Sequence, residues 1–144
     1  MKGVIQNLEE MQKIASGFAI NLLPKNKGAT IVGLYGELGA GKTTFTQAVA
    51  KAFGIEEKVI SPTFVIEKIY ELTSQKFTHL IHIDAYRIEK SEELIHLGWQ
   101  NIISDPRNLI FIEWPEKISD IMPSHIKINF KHISENSREF EISE

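Results

Sequence analysis

The feature that most constrains this chain is the run Gly36-Glu37-Leu38-Gly39-Ala40-Gly41-Lys42-Thr43, which matches G-x-x-x-x-G-K-[ST]. Such a loop works only between a buried strand and the N-terminus of a helix. Glycines let backbone N–H groups turn inward around phosphate oxygens. The helix then directs its first N–H groups at the same anion. Lys42 adds a mobile cation for the β- and γ-phosphates, and the Thr43 hydroxyl is placed to ligate Mg²⁺.

The flanking pattern supplies that context. Thr30 to Tyr35 is an apolar run suited to a buried parallel strand. After the loop, Phe45, Ala48, Val49, Ala52 and Phe53 recur at helical spacing, with Gly54 as the stop. Upstream, Asn7 is a helix cap with Glu10 completing a capping box. Leu8, Met11, Ile14, Ala15, Phe18, Ala19 and Leu22 form the apolar stripe of that helix, which ends before Pro24. Downstream, residues 63–72 and 77–84 read as a hairpin. Ser91 caps a short helix carrying Leu94, Ile95 and Leu97. Leu109 to Ile112 is a second buried strand, and residues 126–132 and 138–143 alternate as a terminal hairpin. The expected fold is a single α/β P-loop NTPase domain over residues 1–144, with a mixed, mostly parallel sheet flanked by helices and extended by antiparallel hairpins.

A P-loop enzyme needs a further acidic group at the end of a neighbouring strand, to hold Mg²⁺ or orient water. Glu113 directly follows the apolar run 109–112, and Asp84 ends the run 80–83. Glu113 is the stronger candidate because its strand is uniformly apolar and therefore central. Solvated strand-end carboxylates are the plain alternative for both. Ser61-Pro62-Thr63 is either a γ-phosphate-sensing switch or ordinary turn chemistry. Trp114 is a stacking platform or a half-buried core residue. His82 and Asp84, two apart on one strand face, suggest a metal pair, but without a further ligand cluster a structural histidine is favoured.

Bulk properties narrow the function. The net charge of −3 argues against general electrostatic binding of nucleic acid. Cysteine is absent, which excludes disulfides and thiolate chemistry and suits a reducing cytoplasm. The first residues lack the apolar run of a signal peptide, and no stretch approaches the length of a membrane span. The guanine-reading Asn-Lys-x-Asp element is missing, since Asn26-Lys27 is followed by Gly28-Ala29 and lies before the loop. Only Arg87, Arg107 and Arg138 are available for a phosphate-closing lid, so a small-molecule P-loop kinase is the second reading. A nucleotide-gated interaction module without turnover is the third.

Taken together in this order, Leu34 to Phe45, Ser61-Pro62-Thr63-Phe64, His82-Ile83-Asp84-Ala85-Tyr86-Arg87, Glu92-Glu93-Leu94 and Glu113-Trp114-Pro115 resemble the bacterial TsaE family over residues 4 to 140. The resemblance implies an ATPase required for threonylcarbamoyladenosine (t6A) at position 37 of tRNAs reading codons that start with A. It implies ATP and Mg²⁺ as cofactors, and TsaD and TsaB as partners, with tRNA met only indirectly. Thr43 and Glu113 match the family's Mg²⁺ ligands, and Gly39, Ala40, Gly41, Lys42, Thr43 and Thr44 its phosphate cradle. Asp84, Thr63 and Trp114 match further motif positions. Glu10 and Ser137 align loosely with two more nucleotide contacts, and for Glu10 a plain capping role competes.

Overall fold

The computed structural model describes residues 1–37, 39–56, 59, 66–73 and 76–144. Among these residues seven strands form one sheet. In chain order the elements are β1 (Lys2–Ile5), α1 (Leu8–Asn21), β2 (Thr30–Tyr35), α2 (Lys42–Ala52), β3 (Glu67–Glu71), β4 (His79–Asp84), α3 (Glu92–Ile95), α4 (Trp99–Ser104), β5 (Asn108–Glu113), β6 (Ile126–His132) and β7 (Arg138–Ser143). A 3₁₀ turn, Pro115–Ile118, follows β5.

The spatial order is β1-β7-β6-β2-β5-β4-β3. The four middle strands, β6, β2, β5 and β4, are parallel. β3 is added antiparallel at one edge, and β7 and β1 at the other. Every residue of β5 is buried, as a strand between two parallel neighbours requires.

Side chains alternate across the sheet and feed two cores. Val32, Leu34, Leu80, Leu109 and Phe111 face α1 and α2, where they meet Met11, Ala15, Phe45 and Val49. Ile31, Ile81, Ile83, Ile110 and Ile112 face α3 and α4, where they meet Leu94 and Trp99. Phe18, Phe45 and Phe111 pack as a ring cluster between α1, α2 and β5, with centroids 5.5 to 6.4 Å apart. Helix α2, which carries the phosphate-loop lysine, is thus packed against both α1 and the sheet.

Three features depart from the sequence expectation. β1 is additional; it pairs with β7 through the register Gly3↔Phe140. The region after Ser91 holds two short helices, and the Ser91 side chain caps neither: its Oγ donates to Asp120 Oδ1. Leu8, placed on the apolar stripe of α1, is 75% exposed. Among the described residues no helix is long and apolar enough to cross a membrane.

Candidate phosphate-binding site

The loop from β2 to α2 turns under tight geometric control. Gly36 has φ 138°, and a Cβ there would lie 2.6 Å from the Phe130 carbonyl oxygen. Strand β6 therefore passes too close for any side chain. Gly41 caps α2 in the left-handed region at φ 109°, and no side chain caps the helix. The first N–H groups of α2 are thereby left for an external anion.

Lys42 follows. It is only 4% exposed. Its Nζ donates to the Gly36 carbonyl at 2.5 Å and sits 3.4 Å from the centre of the Trp114 ring. Burial pulls the Lys42 pKa below the ordinary value, with Glu113, Glu116 and Asp84 acting in the opposite direction. An ammonium that has given up this much water, held by one carbonyl and one ring face, is well prepared for a phosphate.

Thr43 and Glu113 meet across the strand gap. Thr43 Oγ1 lies 2.9 Å from both carboxylate oxygens of Glu113. Register explains the meeting: Leu34, two residues before the loop, pairs with Glu113, which in turn pairs with Asp84. Glu113 is 3% exposed, and its Oε2 is 2.6 Å from His82 Nε2. Asp84 stands one strand further out, half-buried, with Oδ1 accepting the Tyr86 N–H at 3.0 Å.

These groups open into a cleft of about 1360 Å³ whose lining includes Gly39, Gly41, Lys42, Thr43, Thr44, Asp84, Glu113 and Trp114. Gly36 and Ala40 shape the loop from behind. Trp114 has φ 61°, the one non-glycine positive φ among the described residues, and this turn brings its ring beside Tyr86 with centroids 5.1 Å apart.

Two residues singled out from the sequence lie elsewhere. Glu10 is folded into the cap of α1: its Oε2 accepts the Gln6 N–H at 2.7 Å, while Asn7 Oδ1 accepts the Glu10 N–H at 2.8 Å. Its neighbours Leu8 and Glu9 line the cleft instead, and so do Asn136 and Arg138 in place of Ser137. Thr63 falls outside the described residues.

Arg138 is the residue that sequence reasoning missed. Its Nε donates to the Gly39 carbonyl at 3.1 Å, and Nη1 donates to the carbonyls of Ser134 and Ser137 at 2.8 and 3.0 Å. It ties the terminal hairpin to the phosphate loop. The available signal was weak: one of three arginines, placed where a hairpin strand begins.

A buried strand, a glycine loop, an uncapped helix N-terminus and a carboxylate on the adjacent parallel strand define a P-loop NTPase fold. Comparison with known proteins narrows this further. The family model described as "Threonylcarbamoyl adenosine biosynthesis protein TsaE" matches residues 5–140, and the chain belongs to that family. It is 39% identical over 136 residues to a Rickettsia prowazekii protein, covering 93% of this chain and 88% of that one. An Aquifex aeolicus protein is 33% identical over 141 residues, covering 96% and 92%. Both relatives are named tRNA threonylcarbamoyladenosine biosynthesis protein TsaE. Among solved structures, Bacillus subtilis YdiB superposes with a TM-score of 0.69 at 30% identity, covering 97% of this chain and 82% of that one.

Proposed function

We propose that this chain is an Mg²⁺-dependent ATPase of tRNA t6A synthesis, switched by nucleotide in its association with a TsaD–TsaB transferase pair. The observation that carries the reading is the Thr43–Glu113 pair, set beside Lys42 and the open N-terminus of α2. A hydroxyl and a carboxylate converging on one spot are hard oxygen donors of the kind Mg²⁺ takes, and Mg²⁺ needs only one or two carboxylates when phosphates and water complete its shell. Bound there, Mg²⁺ would neutralise charge on the phosphates.

The roles of the chain's own groups follow from position. The first N–H groups of α2, with the backbone of Gly39 to Thr44, cradle the phosphates. Lys42 exchanges its hold on the Gly36 carbonyl for the phosphate oxygens. Glu113 and Thr43 provide the oxygen pair for the cation. In this reading Asp84, at the end of β4 beside Glu113, orients the attacking water, and Trp114 with Tyr86 forms an aromatic wall. Thr63 is assigned the switch role from its motif. Adenine is preferred because the guanine-reading element is missing. The reading places the chain in the cytoplasm, where a cysteine-free, mildly acidic protein that meets tRNA through partners is at home.

Titration calorimetry with ATP, with and without Mg²⁺, tests the binding step. ATP should bind in competition with ADP and more tightly than GTP. Lys42→Ala should weaken binding about 10–100-fold, as expected for losing a hydrogen bond to a charged group. Unchanged affinity in that variant would remove the assignment.

A further inference from the structure

His82 is the buried ionisable group that the proposed ATPase role leaves without a task. It lies on β4 with its side chain fully enclosed, pairing across the sheet with Lys68 on one side and Phe111 on the other. Leu80, His82 and Asp84 share one face of β4, beside Leu109, Phe111 and Glu113 of β5. That face is the one that packs against α2. His82 is therefore one diagonal step from Glu113, within reach of its carboxylate.

The contact defines the chemistry. Both Glu113 oxygens stand as acceptors of the Thr43 hydroxyl, so His82 meets Oε2, 2.6 Å away, through Nε2–H as the donor. Nδ1, on the other side of the ring, has no hydrogen-bond partner among the described residues. As a packing residue this imidazole is a poor choice. A buried polar atom without a partner costs free energy, and an aliphatic side chain would fill the same space without that loss. What the imidazole adds at this position is the single donor aimed at Glu113.

We infer that His82 is a positioning residue, which holds the Glu113 carboxylate turned toward Thr43 so that both of its oxygens face the Thr43 hydroxyl. This rests on the proposed Mg²⁺–nucleotide role of the Thr43–Glu113 pair. A glutamate has three side-chain torsions. Thr43 alone does not fix them, because its hydroxyl has one proton to share between two oxygens 2.9 Å away. The Nε2–H bond to Oε2 removes the remaining freedom from below, from a rigid strand. Partners of this kind behind a cation-binding carboxylate change metal affinity or activity by about 10–100-fold when removed.

Three variants test it. His82→Leu keeps volume and removes the donor. His82→Gln places an amide nitrogen near the Nε2 position. His82→Asn carries an amide too short to reach it. The readout is the increment that Mg²⁺ adds to ATP affinity, measured by calorimetry as the ratio of dissociation constants in EDTA and in Mg²⁺, with melting temperature recorded alongside. The inference predicts that His82→Leu loses about 10–100-fold of the Mg²⁺ increment and leaves affinity in EDTA unchanged, even where its melting temperature falls because the buried Glu113 has lost a donor, while His82→Gln recovers most of both losses. A full Mg²⁺ increment in His82→Leu would overturn it. Should His82→Leu fail to fold, His82→Gln against His82→Asn decides, and equal increments in those two would overturn it. A wild-type chain that binds ATP with no Mg²⁺ increment at all would instead sink the underlying cation-site reading, and this inference with it.

Discussion

At the scale of single residues, the backbone contributes as much as the side chains. Gly36 combines φ 138° with the Phe130 carbonyl oxygen 2.6 Å from a would-be Cβ. Gly36→Ala should therefore destabilise the fold by about 1–3 kcal/mol, read as a lower melting temperature. Gly39→Ala is the control: its φ of 77° is also unfavourable, but no atom lies within 4 Å, so its loss should be smaller. Equal losses would show that the approach of β6 is not what requires glycine. Glu67 offers a pH test. Burial raises its carboxyl above the ordinary 4.5, and its Oε2 has no hydrogen-bond partner among the described residues. The native state then holds the proton more tightly than the unfolded chain, so stability falls as pH rises from about 4.5 through the folded-state value. Glu67→Gln should melt like wild type below that window and higher than wild type at neutral pH. A constant gap across pH would contradict the burial argument. Among residues, Lys42, Thr43 and Glu113 were legible because a contiguous motif and a strand end announce them. Arg138 was not, because its meaning lies in a contact with Gly39, 99 positions away.

At the scale of elements, agreement tracks how strongly each one is patterned. The boundaries of β2, β6 and β7 fall where the sequence places them, and Gly54 stops α2 with φ 85°. β1 escaped because four residues with one buried side chain carry no period; its pairing depends on β7, at the other end of the chain. α3 lies within the short helix expected after Ser91, whereas α4 is additional: it starts afresh after Gly98, at φ 88°, and its six residues are too few to show a helical period. The terminal hairpin gained a purpose that its alternation could not reveal, since Arg138 bonds both its own turn and the phosphate loop. Arg138→Ala should leave the sheet intact and speed amide exchange at Gly39 to Gly41. It should also weaken ATP binding several-fold. Unaltered exchange in that segment would show that the hairpin does not brace the loop.

At the scale of the whole molecule, the sheet order sets the site. β5 lies directly beside β2, so Glu113 faces Thr43 without an intervening strand, and β4 brings His82 and Asp84 alongside. The family and its fold follow from sequence and comparison alike. In the proposed function, hydrolysis switches a contact with a partner, a task that suits a mildly acidic chain of 144 residues with three arginines better than catalysis on tRNA. If the TsaD–TsaB pair tightens ATP binding, ATP must tighten association with the pair by the same factor. Partner affinity that is identical with ATP, with ADP and without nucleotide would rule out the switch. The central claim, that the Thr43–Glu113 pair serves ATP turnover, is tested most directly by Glu113→Gln. Binding of Mg²⁺–ATP by calorimetry and phosphate release should be measured on the same preparation. The variant is expected to fold and still bind ATP but to release phosphate at least about 100-fold more slowly. Wild-type turnover in that variant would contradict it and transfer the role to Asp84.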